Sequence, residues 1–134
     1  MGPEFTATWL PRAIAVLRIV AGYLYLQHGT AKLLHVPHVE MFDNLPWLSL
    51  FGVAGMLELA GGVLLVLGWF TRPVAFILSG EMAVAYFMEH VPLGSMLVPM
   101  LNQGEVAVLY CFIFLLLAVS GAGAWSIDER RRTP

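Results

Sequence analysis

The sequence predicts an all-α, polytopic membrane protein folded as an up-down four-helix transmembrane bundle. Three observations carry that prediction. Four apolar stretches are each long enough to cross a bilayer, the segments between them are rich in helix breakers, and 59% of the 134 residues are hydrophobic against 12% charged. A mean hydropathy of +0.78 is more than a water-soluble domain of this size tolerates. The runs are continuous rather than alternating, and lipid offers no water to satisfy open strand edges, so helices are expected rather than strands.

A spanning helix needs roughly 20 apolar residues to cross ~30 Å of hydrocarbon. The expected spans are about 11–34, 48–70, 73–91 and 104–121, separated by "HVPHVEMFDNLPW", "TRP" and "PLGSMLVPMLNQG". The opening "MGPEF", residues 1–5, resembles an expression scar and is set aside. A single membrane domain is expected over 6–128, with 129–134 as a basic cytoplasmic tail. Arg12, Arg72 and Arg130 to Arg132 fall on one side of a four-span chain, which places both termini in the cytoplasm. Trp9, Trp47, Trp69 and Trp125 lie near the span ends, as an aromatic belt requires.

In the first span Arg18, Gly22, Tyr25, Gly29 and Lys32 recur at spacings that put all five on one helix face. Glycine admits a close neighbour, so this face turns into the bundle and its charges need not meet lipid. Gly55, Glu58 and Gly62 share a face of the second span, and Glu81 lies inside the third. At ~1.5 Å per residue, Arg18 lies ~10 Å, Glu81 ~12 Å and Glu58 ~18 Å from the inner ends of their spans. These depths predict an intramembrane ion pair or triad of Arg18 with Glu58 and Glu81, because a charge without a counter-ion is costly in lipid.

A second polar set gathers toward the outer face: His28, Lys32, Glu89, His90, Asn102, Gln103 and Glu105, beside Tyr25. A cation, carboxylates, imidazoles and amide donors together suit the head of a quinone, whose carbonyls accept hydrogen bonds and whose reduction takes up protons. His28, Lys32, Glu89 and Glu105 are the candidate catalytic groups, and Tyr25, His90, Asn102 and Gln103 the candidate quinone ligands. Snorkelling of Lys32 to the interface is the competing reading. His35 and His38 lie near Glu40 and Asp43; a solvated loop is the preferred reading over a metal site, and no metal ligand is assigned. One cysteine, Cys111, excludes an intramolecular disulfide or a CxxC dithiol. A net charge of -2 with only a short basic run gives no footprint for nucleic acid.

The stretches "RIVAGYLYLQHGTAKL", "GMLELAGGVLLVLGWFTRPVA", "EMAVAYFMEH", "NQGEVAVLY" and "GAGAWSIDERRR", in that order, resemble the DoxX family of small bacterial four-helix membrane proteins. The resemblance runs from about Ala15 to Asp128. It maps the family pattern onto Arg18, Gly22, His28, Gly29, Lys32, Glu58, Gly61, Gly62, Gly68 and Arg72, then Asn102, Gly104, Glu105, Gly121, Gly123, Ser126 and Asp128. It implies a multi-pass protein of the bacterial inner membrane, associated with quinone-linked oxidoreduction or with defence against oxidant and thiol stress, and working with a soluble redox or stress-response protein. A non-enzymatic scaffold that recruits a soluble partner, and a small-molecule transporter acting as a homo-oligomer, are the alternatives. No haem-ligating pair, cluster cysteines or nucleotide loop is present in the sequence, so electrons would come from a partner or a bound substrate.

Overall fold

The computed structural model describes residues 2–132. Four long helices run up and down: α1 Pro3–Leu34, α2 Leu50–Leu67, α3 Thr71–Ala85 and α4 Glu105–Ser120, followed by the short α5 Ile127–Arg130. α3 continues through a widened π turn at Tyr86–His90 and a 3₁₀ turn at Val91–Leu93, so that its apolar stretch reaches 23 residues. α1, α2 and the extended α3 are long and apolar enough to cross a bilayer, and α4 is a shorter apolar helix of 16 residues.

Most of the apolar surface faces outward. In the most hydrophobic window of each of the three long helices no more than 33% of residues are buried inside the bundle. Val20, Phe76, Ile77, Phe112 and Val119 are each at least half exposed. An outer surface of this kind is stable only against hydrocarbon. Inside, Tyr25, Leu65, Leu78, Phe114 and Leu117 form a tight core, with the Tyr25 and Phe114 rings edge to face at 4.8 Å.

Local chemistry sets each boundary. Ser49 caps α2 by accepting the Gly52 N–H at 3.1 Å, and Gly68, at φ 66°, closes the helix in the left-handed region that glycine enters at least cost. Asp128 caps α3 from a distance, accepting the Phe70 and Thr71 N–H groups at 2.9 and 2.8 Å. Pro73 falls in the first turn of α3, where its missing N–H costs no helical bond. Arg72 donates to the carbonyls of Ala118, Val119 and Ser120, which covers the C-terminal end of α4.

The helices pair as two hairpins, α1 along α2 and α3 along α4. Glycine decides how closely the first pair approaches. A Cβ on Gly29 would fall 2.7 Å from the Leu59 Cα, and one on Gly62 would fall 2.8 Å from the Leu26 Cα. The two backbones are therefore in contact along the polar face of α1. Ser79 of α3 donates to the Cys111 carbonyl of α4 at 2.8 Å, tying the second pair.

The start of α1 and the level at which the bundle closes differ from the sequence reading. α1 begins at Pro3, inside the stretch set aside as a scar, and Gly68 of the α2–α3 turn stands beside the Arg18 guanidinium. Some four turns of α1 thus precede the level at which the bundle closes. Arg12, Arg72 and Arg130 to Arg132 share the end of the bundle where Ala124 N–H meets the Pro11 carbonyl at 3.0 Å.

Replacing Gly29 with alanine is expected to lower stability by about 1–3 kcal/mol through overpacking. Gly80, with open space where a Cβ would go, should accept alanine at no cost or gain up to ~1 kcal/mol of helix propensity. Thermal unfolding of both variants in detergent measures the contrast.

Candidate functional site

The polar face of α1 meets three separate sets of partners at three depths. At the closing end, Arg18 is fully buried and donates to five backbone carbonyls: Ala122 at 2.8 Å, Leu65 at 2.5 Å, Val66 at 2.8 Å, Ala124 at 3.3 Å and Trp125 at 3.1 Å. Leu65 and Val66 end α2, and the other three belong to the turn after α4, so one guanidinium satisfies the exposed acceptors of two segments at once. The expected pairing of Arg18 with Glu58 and Glu81 does not form. The expected depth of Arg18 takes residue 11 as the inner end of the span, whereas the bundle closes at the level of Arg18 itself, and its donors are spent on carbonyls at that end.

Glu58 pairs instead with Lys32. The Nζ atom lies 2.6 and 2.8 Å from the two carboxylate oxygens, with side-chain exposures of 10% for Lys32 and 4% for Glu58. Lys32 follows Arg18 by 14 residues, about 21 Å along the helix. The α1–α2 register that sets Gly29 on Leu59 also places Lys32 against Gly55, one turn from Glu58. Beside this pair, Glu81 accepts the Tyr25 hydroxyl on Oε2 at 2.8 Å, while its Oε1 is buried with no hydrogen-bond partner among the described residues. Lys32, Glu58, Glu81 and Glu89 line one cavity of about 90 Å³, walled by apolar residues including Leu50, Phe51, Met82 and Met88. His28 lies on the exposed edge of the same helix, its ring 6.3 Å from Tyr25 and 6.4 Å from Tyr110.

The expected outer pocket of seven residues is divided. Asn102 is fully buried and donates to the Tyr86 hydroxyl at 3.1 Å and the Ser95 carbonyl at 3.0 Å, while its side-chain oxygen accepts the Gly104 N–H at 2.9 Å. Tyr86 in turn donates to the Met96 carbonyl at 2.8 Å, and His90 Nδ1 lies 3.1 Å from the Asn102 carbonyl. These groups knit segment 92–104 onto the end of α3. Asn102 and His90 are therefore occupied by backbone, and Gln103 and Glu105 are exposed at the start of α4. The physical reason is local: a loop with many unpaired amides at the bundle's end consumes the polar side chains nearest to it. Lys32 and Glu89 border one cavity, Lys32 largely buried and Glu89 at its exposed rim.

In the loop after α1, His35 ends the helix in the left-handed region at φ 56°, and His38 Nε2 lies 3.0 Å from an exposed Asp43 oxygen. Among the described residues no group of three or more His, Cys, Asp or Glu is arranged to hold a metal ion.

Sequence reasoning missed three roles. The Lys32–Glu58 pair was signalled by their glycine-lined faces but required the helix register. Tyr86 as the hub of the outer loop carried no local signal, and Asp128 as the cap of α3 acts across 57 residues.

Such an arrangement defines a small multi-pass helical membrane protein with an ion pair held inside its bundle. The DoxX family profile matches residues 13–91, and the chain belongs to that family. It is 46% identical over 123 residues to an uncharacterized protein of Haemophilus influenzae, covering 90% of this chain and 91% of that one. No solved structure matches.

Lys32→Met alone strands Glu58 and is expected to cost about 3–5 kcal/mol, whereas Lys32→Met with Glu58→Met should recover most of that loss. Thermal unfolding of the single and double variants in detergent decides it; a double variant no more stable than the single would show that the pair is not the unit of stability.

Proposed function

We propose that this chain is a membrane subunit of quinone-linked oxidoreduction in the bacterial inner membrane, with both termini cytoplasmic. The arginine-rich end supports the orientation, since basic residues are retained on the cytoplasmic side. The observation that carries the reaction class is the buried Glu81 Oε1, without a hydrogen-bond partner among the described residues, beside the Lys32–Glu58 pair in a common cavity. A carboxyl oxygen left without a partner away from water is costly, and it is retained where a ligand or a proton completes it.

The donor set fits a quinone head. Lys32 and a protonated carboxyl would donate to ring carbonyls, and Leu50, Phe51, Met82 and Met88 supply apolar walls. A volume of about 90 Å³ admits the carbonyl edge of a ring, the remainder lying toward the lipid. When bound, a quinone accepts two electrons and two protons. The chain's own part is to orient that edge through Lys32, to keep bulk water out, and to hold a proton at Glu81 Oε1. Tyr25, hydrogen-bonded to Glu81 Oε2, fixes the carboxyl in place. Electrons come from a soluble redox or stress-response partner.

A scaffold that recruits a soluble protein is the second reading. It is favoured by the number of family-pattern residues, among them Arg18, Gly68, Arg72, Asn102 and Asp128, that serve helix ends and loops rather than the cavity.

Organic extraction of the purified protein should yield roughly one quinone per chain. Occupancy should fall about tenfold in Glu81→Leu, which removes the carboxyl donor and with it about one hydrogen bond to the ring, thermal unfolding checking that the variant is folded. A quinone-free preparation carrying a stoichiometric soluble protein would replace this reading with the scaffold.

A further inference from the structure

A second cavity, of about 550 Å³, lies at the arginine-bearing end of the bundle, far from Lys32. Its wall is built by the start of α3 and by the chain after α4, and it collects Arg72, Arg131 and Arg132 against Asp128 and Glu129. Both Asp128 oxygens are already engaged by the Phe70 and Thr71 N–H groups, which neutralises the start of α3 and leaves the guanidinium groups the dominant charge. The Arg131 guanidinium lies over the Trp69 ring at 5.3 Å and is thereby held at the mouth. Thr71, which lines the cavity, is fully buried, and its Oγ1 has no hydrogen-bond partner among the described residues.

We infer that this cavity binds a phosphate-bearing group, supplied by an anionic phospholipid headgroup or by free phosphate. Phosphate offers several acceptor oxygens to arginine forks, and an acceptor entering here would also complete the Thr71 hydroxyl. The position suits it, because the cavity sits at the end of the membrane-spanning helices, where headgroups lie. The α3 amides take no part, being filled by Asp128, and Arg72 is held on the α4 carbonyls, so recognition falls chiefly to Arg131 and Arg132 and to the wall.

The purified full chain in neutral detergent is titrated with dihexanoyl phosphatidylglycerol and, separately, with dihexanoyl phosphatidylcholine, bound lipid being read by native mass spectrometry. Saturable binding of the anionic lipid is expected, and R131Q should weaken it about fivefold. R130Q removes the same tail charge outside the cavity lining and should weaken it less than about twofold. T71V, whose thermal unfolding is compared with the parent chain, should weaken binding while stability holds. Inorganic phosphate that displaces the lipid assigns the site to free phosphate; failure to displace it assigns the site to the lipid headgroup. Equal binding of the two lipids, equal effects of R130Q and R131Q, or no saturable binding would overturn the inference.

Discussion

A polypeptide in hydrocarbon must satisfy every backbone acceptor, and at the closing end of this bundle one side chain does so for two segments. Arg18 takes up the last carbonyls of α2 and three carbonyls of the turn after α4. Its guanidinium is fully buried, and its hydrogen bonds go to carbonyls rather than to a carboxylate. Arginine alone has enough donors in a fixed plane for this task. Around it the neighbouring ends are sealed in the same manner, Arg72 on α4 and Asp128 on α3. The packing of α1 on α2 higher in the membrane starts from this anchored end.

Two kinds of polar residue emerge from one family pattern. Arg18, Arg72, Asn102 and Asp128 bond chiefly to backbone and hold chain ends together. Lys32, Glu58 and Glu81 bond to other side chains and border a cavity. A side chain that satisfies backbone has its geometry fully spent. One that answers another side chain keeps a lone pair or a proton in play, which is why the proposed chemistry is placed at Lys32, Glu58 and Glu81.

The faces of the helices were legible in the sequence. Spacing placed Arg18, Tyr25 and Lys32 with the glycines on the inward face, and each is turned into the bundle. Glu58, with Gly55 and Gly62, is likewise buried on α2. Depth and pairing were not legible, because both depend on where a helix crosses its neighbours. The start of α1 mixes Glu4, Thr6, Thr8 and Arg12 with apolar residues and gives no mark of where the bundle begins, so the partners of Arg18 differ from those its depth predicts. The end of α3 misled for another reason: its widened turn and the folded 92–104 segment are long-range consequences of Asn102 and Tyr86 bonding to loop carbonyls, which no periodicity records.

The Lys32–Glu58 pair joins the first two helices across a single short loop, and this has a consequence for biogenesis. Glu58, near the middle of α2, carries a penalty of about 2.5–3.5 kcal/mol if that helix enters the bilayer alone, whereas Lys32, in the last turn of α1, can reach the interface. The penalty is removed only when α1 and α2 lie side by side, with Gly29 and Gly62 letting their backbones touch. Entry of α1 and α2 as a paired hairpin would spare Glu58 that exposure, the glycine contact and the ion pair forming together.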